Sequence, residues 1–163
     1  MMTALQSCVQ RYAMMGVNNY IYSGKGLALT EQWEGYRLIA YQDQAGVWTI
    51  GYGHTGADVI PSLAITQQQA EALLAKDVLA AAHCVNTMVK LQLTQSEFDA
   101  LVDFVFNLGM GAFVRSTLLA DLNGGKIAAA AAQFACWDRA GGVVVAGLLR
   151  RRQAEADLFE STT

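Results

Sequence analysis

Two carboxylates and a hydroxyl stand close together early in this chain. Glu34 and Asp43 are nine positions apart, and Thr49 follows six positions later, all within WEGYRLIAYQDQAGVWTIGYGHT from Trp33 to Thr55. Two acids can divide proton donation from water activation only if their surroundings differ. The local patterns make them differ. Glu34 closes a short helical pattern over Leu27 to Trp33, with Gly35 as C-cap. Asp43 falls in the turn-like QDQAG, and Thr49 lies in VWTIGYG, an aromatic and β-branched run that reads as a strand. A helix end, a loop and a strand can converge on one cleft, and two carboxylates placed this way suit cleavage of a glycosidic bond. An acid at a helix C-terminus opposes the helix dipole, which points to a use other than stability. Taken singly, Asp43 reads as an Asx-turn residue and Thr49 as an ordinary strand threonine. The set carries the chemistry.

The elements around this stretch follow in order. Met1 to Met15 forms a helical pattern with Leu5, Cys8, Val9 and Tyr12 on one side. Asn18 to Gly26 reads as loop. Leu38 to about Ile60 reads as a small antiparallel sheet with turns near Asp43–Gly46 and Gly56–Asp58, and Pro61 marks its exit. Thr66 with Gln69 forms a capping box that opens a long helix to about Val89. Its stripe is Ala70, Leu73, Leu74, Val78, Ala81, Val85 and Met88. Thr94 with Glu97 repeats the capping box and opens a helix with Phe98, Leu101, Val102 and Val105 inward, ended by Gly109 and Gly111. Short helices near 112–123 stop at Asn123-Gly124-Gly125. Lys126 to Trp137 is an Ala-rich pattern, apolar all round, expected at the buried centre of the second lobe. A last helix covers about Ala146 to Glu160.

Composition narrows the function classes. With 163 residues, 53% apolar and 15% charged, the chain can bury a sizeable core. A net charge of −3 argues against nucleic acid as partner, because phosphate binding needs clustered basic residues. The same acidity provides no general attraction to an anionic wall. Cys8, Cys84 and Cys136 are odd in number and lack CxxC spacing, so neither a disulfide framework nor a zinc site is expected. No metal and no cofactor are implied. No run of apolar residues is long enough to span a bilayer.

The motif E-x8-D-x5-T inside "EG…L.AY.D..G.WTIGYGHT" resembles the phage-type lysozymes, the endolysins of glycoside hydrolase family 24. KDVLAA around Asp77, TQSEFDALVDFVFNLG from Thr94, AFVRSTLL from Ala112 and W-x9-GLLRRR from Trp137 extend the likeness over roughly residues 27 to 160. The resemblance implies an α+β, mostly helical, lysozyme-like fold. A small β-hairpin lobe (about 27–65) and a helical lobe (about 90–163) would be joined by a linking helix (about 66–89), with the active-site cleft between them. Residues 1–26 would be an N-terminal arm open to membrane association or self-association.

The activity implied is hydrolysis of the β-1,4 bond between N-acetylmuramic acid and N-acetylglucosamine in bacterial peptidoglycan, for phage release. The enzyme would be made in the host cytoplasm and act on the periplasmic wall, exported through a holin or by an N-terminal anchor. Glu34 would be the general acid. Asp43 and Thr49 would hold water on the other side of the sugar, giving single displacement with inversion. A lytic transglycosylase on the same bond, or a silent wall-binding module, are the rival readings, and both Asp43 and Thr49 speak for hydrolysis. Thr55, Phe106, Asn107 and Ser116 match positions that line the sugar cleft in the family. Asp77 falls on an apolar stripe and needs a partner, and the resemblance supplies His54 for a structural tie. Arg152, on an inward stripe with Leu148 and Phe159, or a neighbouring arginine, would reach Glu34 and orient it; otherwise it snorkels.

Overall fold

The computed structural model describes residues 17–43 and 46–161. The expected helix over Met1–Met15, with Cys8, lies outside the described residues. Helix α1 (Gly24–Glu34) begins three residues earlier than the hydrophobic pattern implied, because Ser23 caps it: its Oγ accepts from the N–H groups of Lys25 and Gly26. Strands β1 (Arg37–Gln42), β2 (Trp48–Gly51) and β3 (His54–Thr55) form an antiparallel sheet in that order. The register is interrupted between Arg37 and Tyr41, and such irregularities bend a strand. Residues 63–65 flank the outer edge of β1, where Ala40 N–H donates to Leu63 O and Ile65 N–H to Leu38 O.

Both capping boxes form. Thr66 opens α2 (Gln67–Met88) and Thr94 opens α3 (Gln95–Leu108). After them come α4 (Met110–Val114), α5 (Thr117–Asn123), α6 (Ile127–Gln133) with a 3-10 turn over Phe134–Trp137, and α7 (Ala146–Phe159). A hairpin that the sequence reading missed, β4 (Arg139–Ala140) with β5 (Val143–Val144), precedes α7. Its turn is Gly141-Gly142, both at positive φ, 57° and 80°, the conformation that two-residue hairpins demand.

Two apolar clusters hold the chain. The small one is Ala40, Ile50 and Val59, covered by Trp48, Leu63, Ile65 and Leu73. The large one runs from Tyr22 through α2, α3, α5 and α6 to Phe159. Helix α2 feeds both, with Leu73 to the first and Leu74 and Val78 to the second, so it joins the lobes through its core-facing side. Three expectations need correction. The centre of the helical lobe is α3, where Ser96 and every residue from Phe98 to Val105 are buried. The Ala-rich α6 is half exposed, burying only Ala130 and Ala131. Helix α1 packs on α3 and so belongs to the helical body, not to the hairpin lobe. Of the two described cysteines, Cys84 is buried and Cys136 is exposed.

The boundary of the N-terminal arm also moves. Residues 18–26, expected as part of a separate arm, are tied into the body. Asn18 Nδ2 donates to Leu91 O (2.8 Å) and Val89 O (3.3 Å), and Leu93 N–H donates to Asn18 Oδ1 (3.0 Å). Tyr20 and Asn86 exchange hydrogen bonds, Tyr20 N–H to Asn86 Oδ1 and Asn86 Nδ2 to Tyr20 O. Ser23 gives its N–H and hydroxyl to Asp99. Asn18→Ala leaves buried backbone groups unmet, so it is expected to lower unfolding free energy by about 2–3 kcal/mol in urea titration. A loss under about 0.5 kcal/mol, the size of an ordinary surface change, would remove Asn18 from that role.

Candidate active site

Glu34 is the last residue of α1, and Gly35 turns the chain away at φ 60°. A non-glycine residue is strained there, and this turn aims the next strand across the end of the helix. Glu34, Gly35, Tyr36, Arg37, Tyr41, Gly51 and Gly53 line a recess of about 300 Å³. Thr49 is directly opposite Tyr41 on one side and Thr55 on the other, so these three side chains share one face of the sheet. The alternate residues Trp48 and Ile50 point the other way, into the small cluster. Thr49 thus stands on the face that Tyr41 presents to the recess, buried, with Oγ1 donating to Val47 O at 3.0 Å.

Asp43 is at the tip of the β1–β2 hairpin. Its Oδ1 accepts from Val47 N–H (2.9 Å), its own N–H donates to Val47 O, and its carbonyl accepts from Gly46 N–H. Its Oδ1 thus holds the loop backbone four residues on, not the two of the expected Asx-turn. The same bonds fix where the carboxylate sits.

Glu34 is held from behind. Arg151 Nη1 donates to Glu34 Oε1 at 2.6 Å, while its Nε and Nη2 grip the two oxygens of Asp103, each at 2.9 Å. The paired arginine is Arg151, not Arg152. Arg152 is fully buried one position on, over the Phe104 ring, where Nη2 donates to Asn107 Oδ1 (2.8 Å) and Glu155 Oε1 (2.7 Å). Arg152 is on the inward stripe as expected, but α7 buries a face wide enough for both arginines, together with Glu155, Leu158 and Phe159, and the neighbour is the one that reaches Glu34. Asp103 Oδ1 also accepts from Thr30 Oγ1 (2.7 Å), and Thr30 meets Tyr22 Oη at 2.7 Å. Burial pushes the Glu155 carboxyl well above the usual carboxylate range, against the pull of Arg152, and its contact with Asp103 raises it further. For Arg151, burial favours loss of the proton, but Asp103 and Glu34 outweigh it and hold the guanidinium charged. Breaking a buried pair of this kind typically costs about 3–5 kcal/mol.

His54 is buried on β3. Its Nδ1 lies 2.8 Å from Asp77 Oδ2 on α2, and its Nε2 lies 3.3 Å from Asp58 Oδ2. Asp58 was not foreseen, although four positions after a histidine in a turn is within reach. Burial alone would lower the His54 pKa, but hydrogen bonds and charge from Asp77 and Asp58 raise it overall.

The weaker binding candidates separate. Thr55 is exposed, on the Thr49 face. Phe106 is half-buried and packs on the large core. The Asn107 side-chain oxygen is engaged by Arg152. Ser116 is buried and caps α5, accepting from Leu119 N–H and donating to Phe113 O, so its hydroxyl is spent on local structure. The sequence reading also missed Asp103 and Asp99. Their signal was a pair of acids inside the apolar run FDALVDFVF, where a carboxylate must find a partner. Among the described residues, no three His, Cys, Asp or Glu side chains group as metal ligands would.

The chain is similar to known proteins in sequence and in fold. A family model described as phage lysozyme matches residues 31–155. An endolysin of Acyrthosiphon pisum secondary endosymbiont phage 1 is 48% identical over 143 residues, covering 85% of this chain and 97% of that protein. A SAR-endolysin of bacteriophage PS119 is 41% identical over 125 residues, covering 77% of this chain and 75% of that protein. Among solved structures, the muramidase domain of SpmX from Asticaccaulis excentricus matches with a TM-score of 0.83 at 39% identity, over 88% of this chain and 99% of that one.

The raised His54 pKa fixes the sign of a pH effect. Stability from the protonated ring is complete below its unfolded value, about 6.5, and is lost as pH rises through the higher folded value. His54→Asn is expected to cost about 1–2 kcal/mol near pH 5.5 and less near pH 9, with activity the lesser loss. Equal melting temperatures for wild type and variant at both pH values would remove the structural tie.

Proposed function

The chain belongs to the phage lysozyme family and is a peptidoglycan-hydrolysing endolysin, a muramidase; we propose that Glu34, Asp43 and Thr49 carry its reaction. The observation that carries this reading is Glu34 at the rim of a recess, gripped from behind by a buried arginine, with Thr49 on the sheet face that meets the same recess.

Glu34 gives a proton to the glycosidic oxygen. The carboxylate left behind is met at once by Arg151, whose charge favours that product state. The same arginine holds the carboxyl in one orientation, because its other two nitrogens are committed to Asp103. Thr49 uses its hydroxyl hydrogen on Val47 O, so Oγ1 presents lone pairs to an incoming water and accepts one of its hydrogens. Asp43, fixed at the hairpin tip, takes the other proton as the water attacks the anomeric carbon from the face opposite the leaving group. The product is the inverted anomer.

The wall lies outside the membrane of the cell that makes the enzyme. The SAR-endolysin relative supports export to the periplasm, with the segment before Val17, uncharged apart from Arg11, as the place for an anchoring or export signal. Among the described residues no helix is long and apolar enough to cross a membrane. Removal of residues 1–16 is expected to shift the protein from the membrane and periplasmic fractions to the cytosol, and an unchanged distribution would sink this export role.

Glu34→Gln is expected to lower turnover of purified peptidoglycan roughly a thousandfold with an unchanged circular dichroism spectrum. Wild type should release reducing N-acetylmuramic ends whose first-formed anomer, read by NMR, is α. Anhydro ends in mass spectra would replace hydrolysis by transglycosylation, and β anomers would replace inversion by retention.

A further inference from the structure

One cation at the active-site recess has no acidic partner. Arg37 is exposed at the start of β1 and lines the recess with Glu34 and Tyr41. Its guanidinium carbon stands 4.5 Å from the centre of the Tyr41 ring. Among the described residues no carboxylate lies within ion-pair distance of it, whereas Arg139 and Arg151 each have one. Stacking on Tyr41 holds the guanidinium in a preferred place and leaves its in-plane N–H donors to be used elsewhere. Arg37 and Tyr41 are on the face that carries Thr49. An anion bound there would lie beside the bond being cut.

The chemistry of the substrate supplies such an anion. The two sugars of the glycan are uncharged once the lactyl carboxyl is joined to the peptide as an amide, and the carboxylates of peptidoglycan are on the peptide stems beside each muramic residue. The protein's net charge of −3 provides no long-range attraction to that polymer, so a local cation must do the recognising. We infer that Arg37 is a specificity residue that reads a free carboxylate of the peptide stem. The rest of the recess reads the sugars. This inference rests on the muramidase reading and adds the part of the wall that is recognised.

The test compares two forms of one wall: purified peptidoglycan, and the same material with its carboxyl groups converted to amides by carbodiimide and ammonia. Wild type is expected to show about tenfold higher KM on the amidated wall, the size of one charge-assisted contact, with kcat nearly unchanged. Arg37→Gln should raise KM about tenfold on the native wall and no more than twofold on the amidated one. Arg37→Lys keeps the charge and should retain a preference for the native wall. The position is exposed, and thermal melting of each variant checks the fold. Equal loss by Arg37→Gln on both walls would reduce Arg37 to a support for Tyr41, and wild type indifferent to amidation would overturn stem recognition. No hydrolysis of either wall by wild type would instead defeat the muramidase reading.

Discussion

Arg151 is the point on which the rest of the helical body converges. One planar cation, almost without solvent contact, joins the end of α1, the middle of α3 and the first half of α7 through Glu34, Asp103 and its own backbone. Burying a guanidinium is unfavourable unless each donor is met, and here Asp103 meets two and Glu34 a third. The placement of Glu34 is therefore a by-product of satisfying a charge that packing forces inside. Thr30 links Asp103 to Tyr22, and the next residue, Ser23, caps α1 and holds Asp99. Next to Arg151, Arg152 Nε and Nη1 and Glu155 Oε2 have no hydrogen-bond partner. This polar cluster is thus not uniformly satisfied.

The hairpin lobe depends on different forces. Its small cluster and the contact of His54 with Asp77 bind it to α2. Gly51, at φ 61°, brings the strand close to Ala70, where a Cβ would come within 3.4 Å of the Ala70 Cβ. The sheet face that carries Tyr41, Thr49 and Thr55 is polar or aromatic because the opposite face supplies the burial.

Much of this was legible in residue order. Thr66 and Thr94, each followed three residues later by Gln69 or Glu97, announced α2 and α3 because a capping box is local chemistry. The triad could be named because a helix end, a turn and a strand each leave a local mark. What was hidden depended on tertiary burial. Arg151 and Arg152 are adjacent and both inward, and periodicity could not choose between them because the buried face of α7 is wide. The run Ile127–Gln133 looked more buried than α3 because alanine is apolar by count, yet it leaves little surface to protect. The β4–β5 hairpin has only two residues per strand, too few for alternation to register. Asn18 read as loop because nothing local tells a side chain that it will bridge to residues seventy positions on.

The mounting of α1 on α3 has a mechanical consequence. Glu34 is carried by a helix of the helical body, whereas Asp43 and Thr49 are carried by the hairpin sheet. How far the helix end stands from the sheet is therefore set by the way α3 and the sheet each rest on α2. A substitution on α2 can change that distance without touching either end of it.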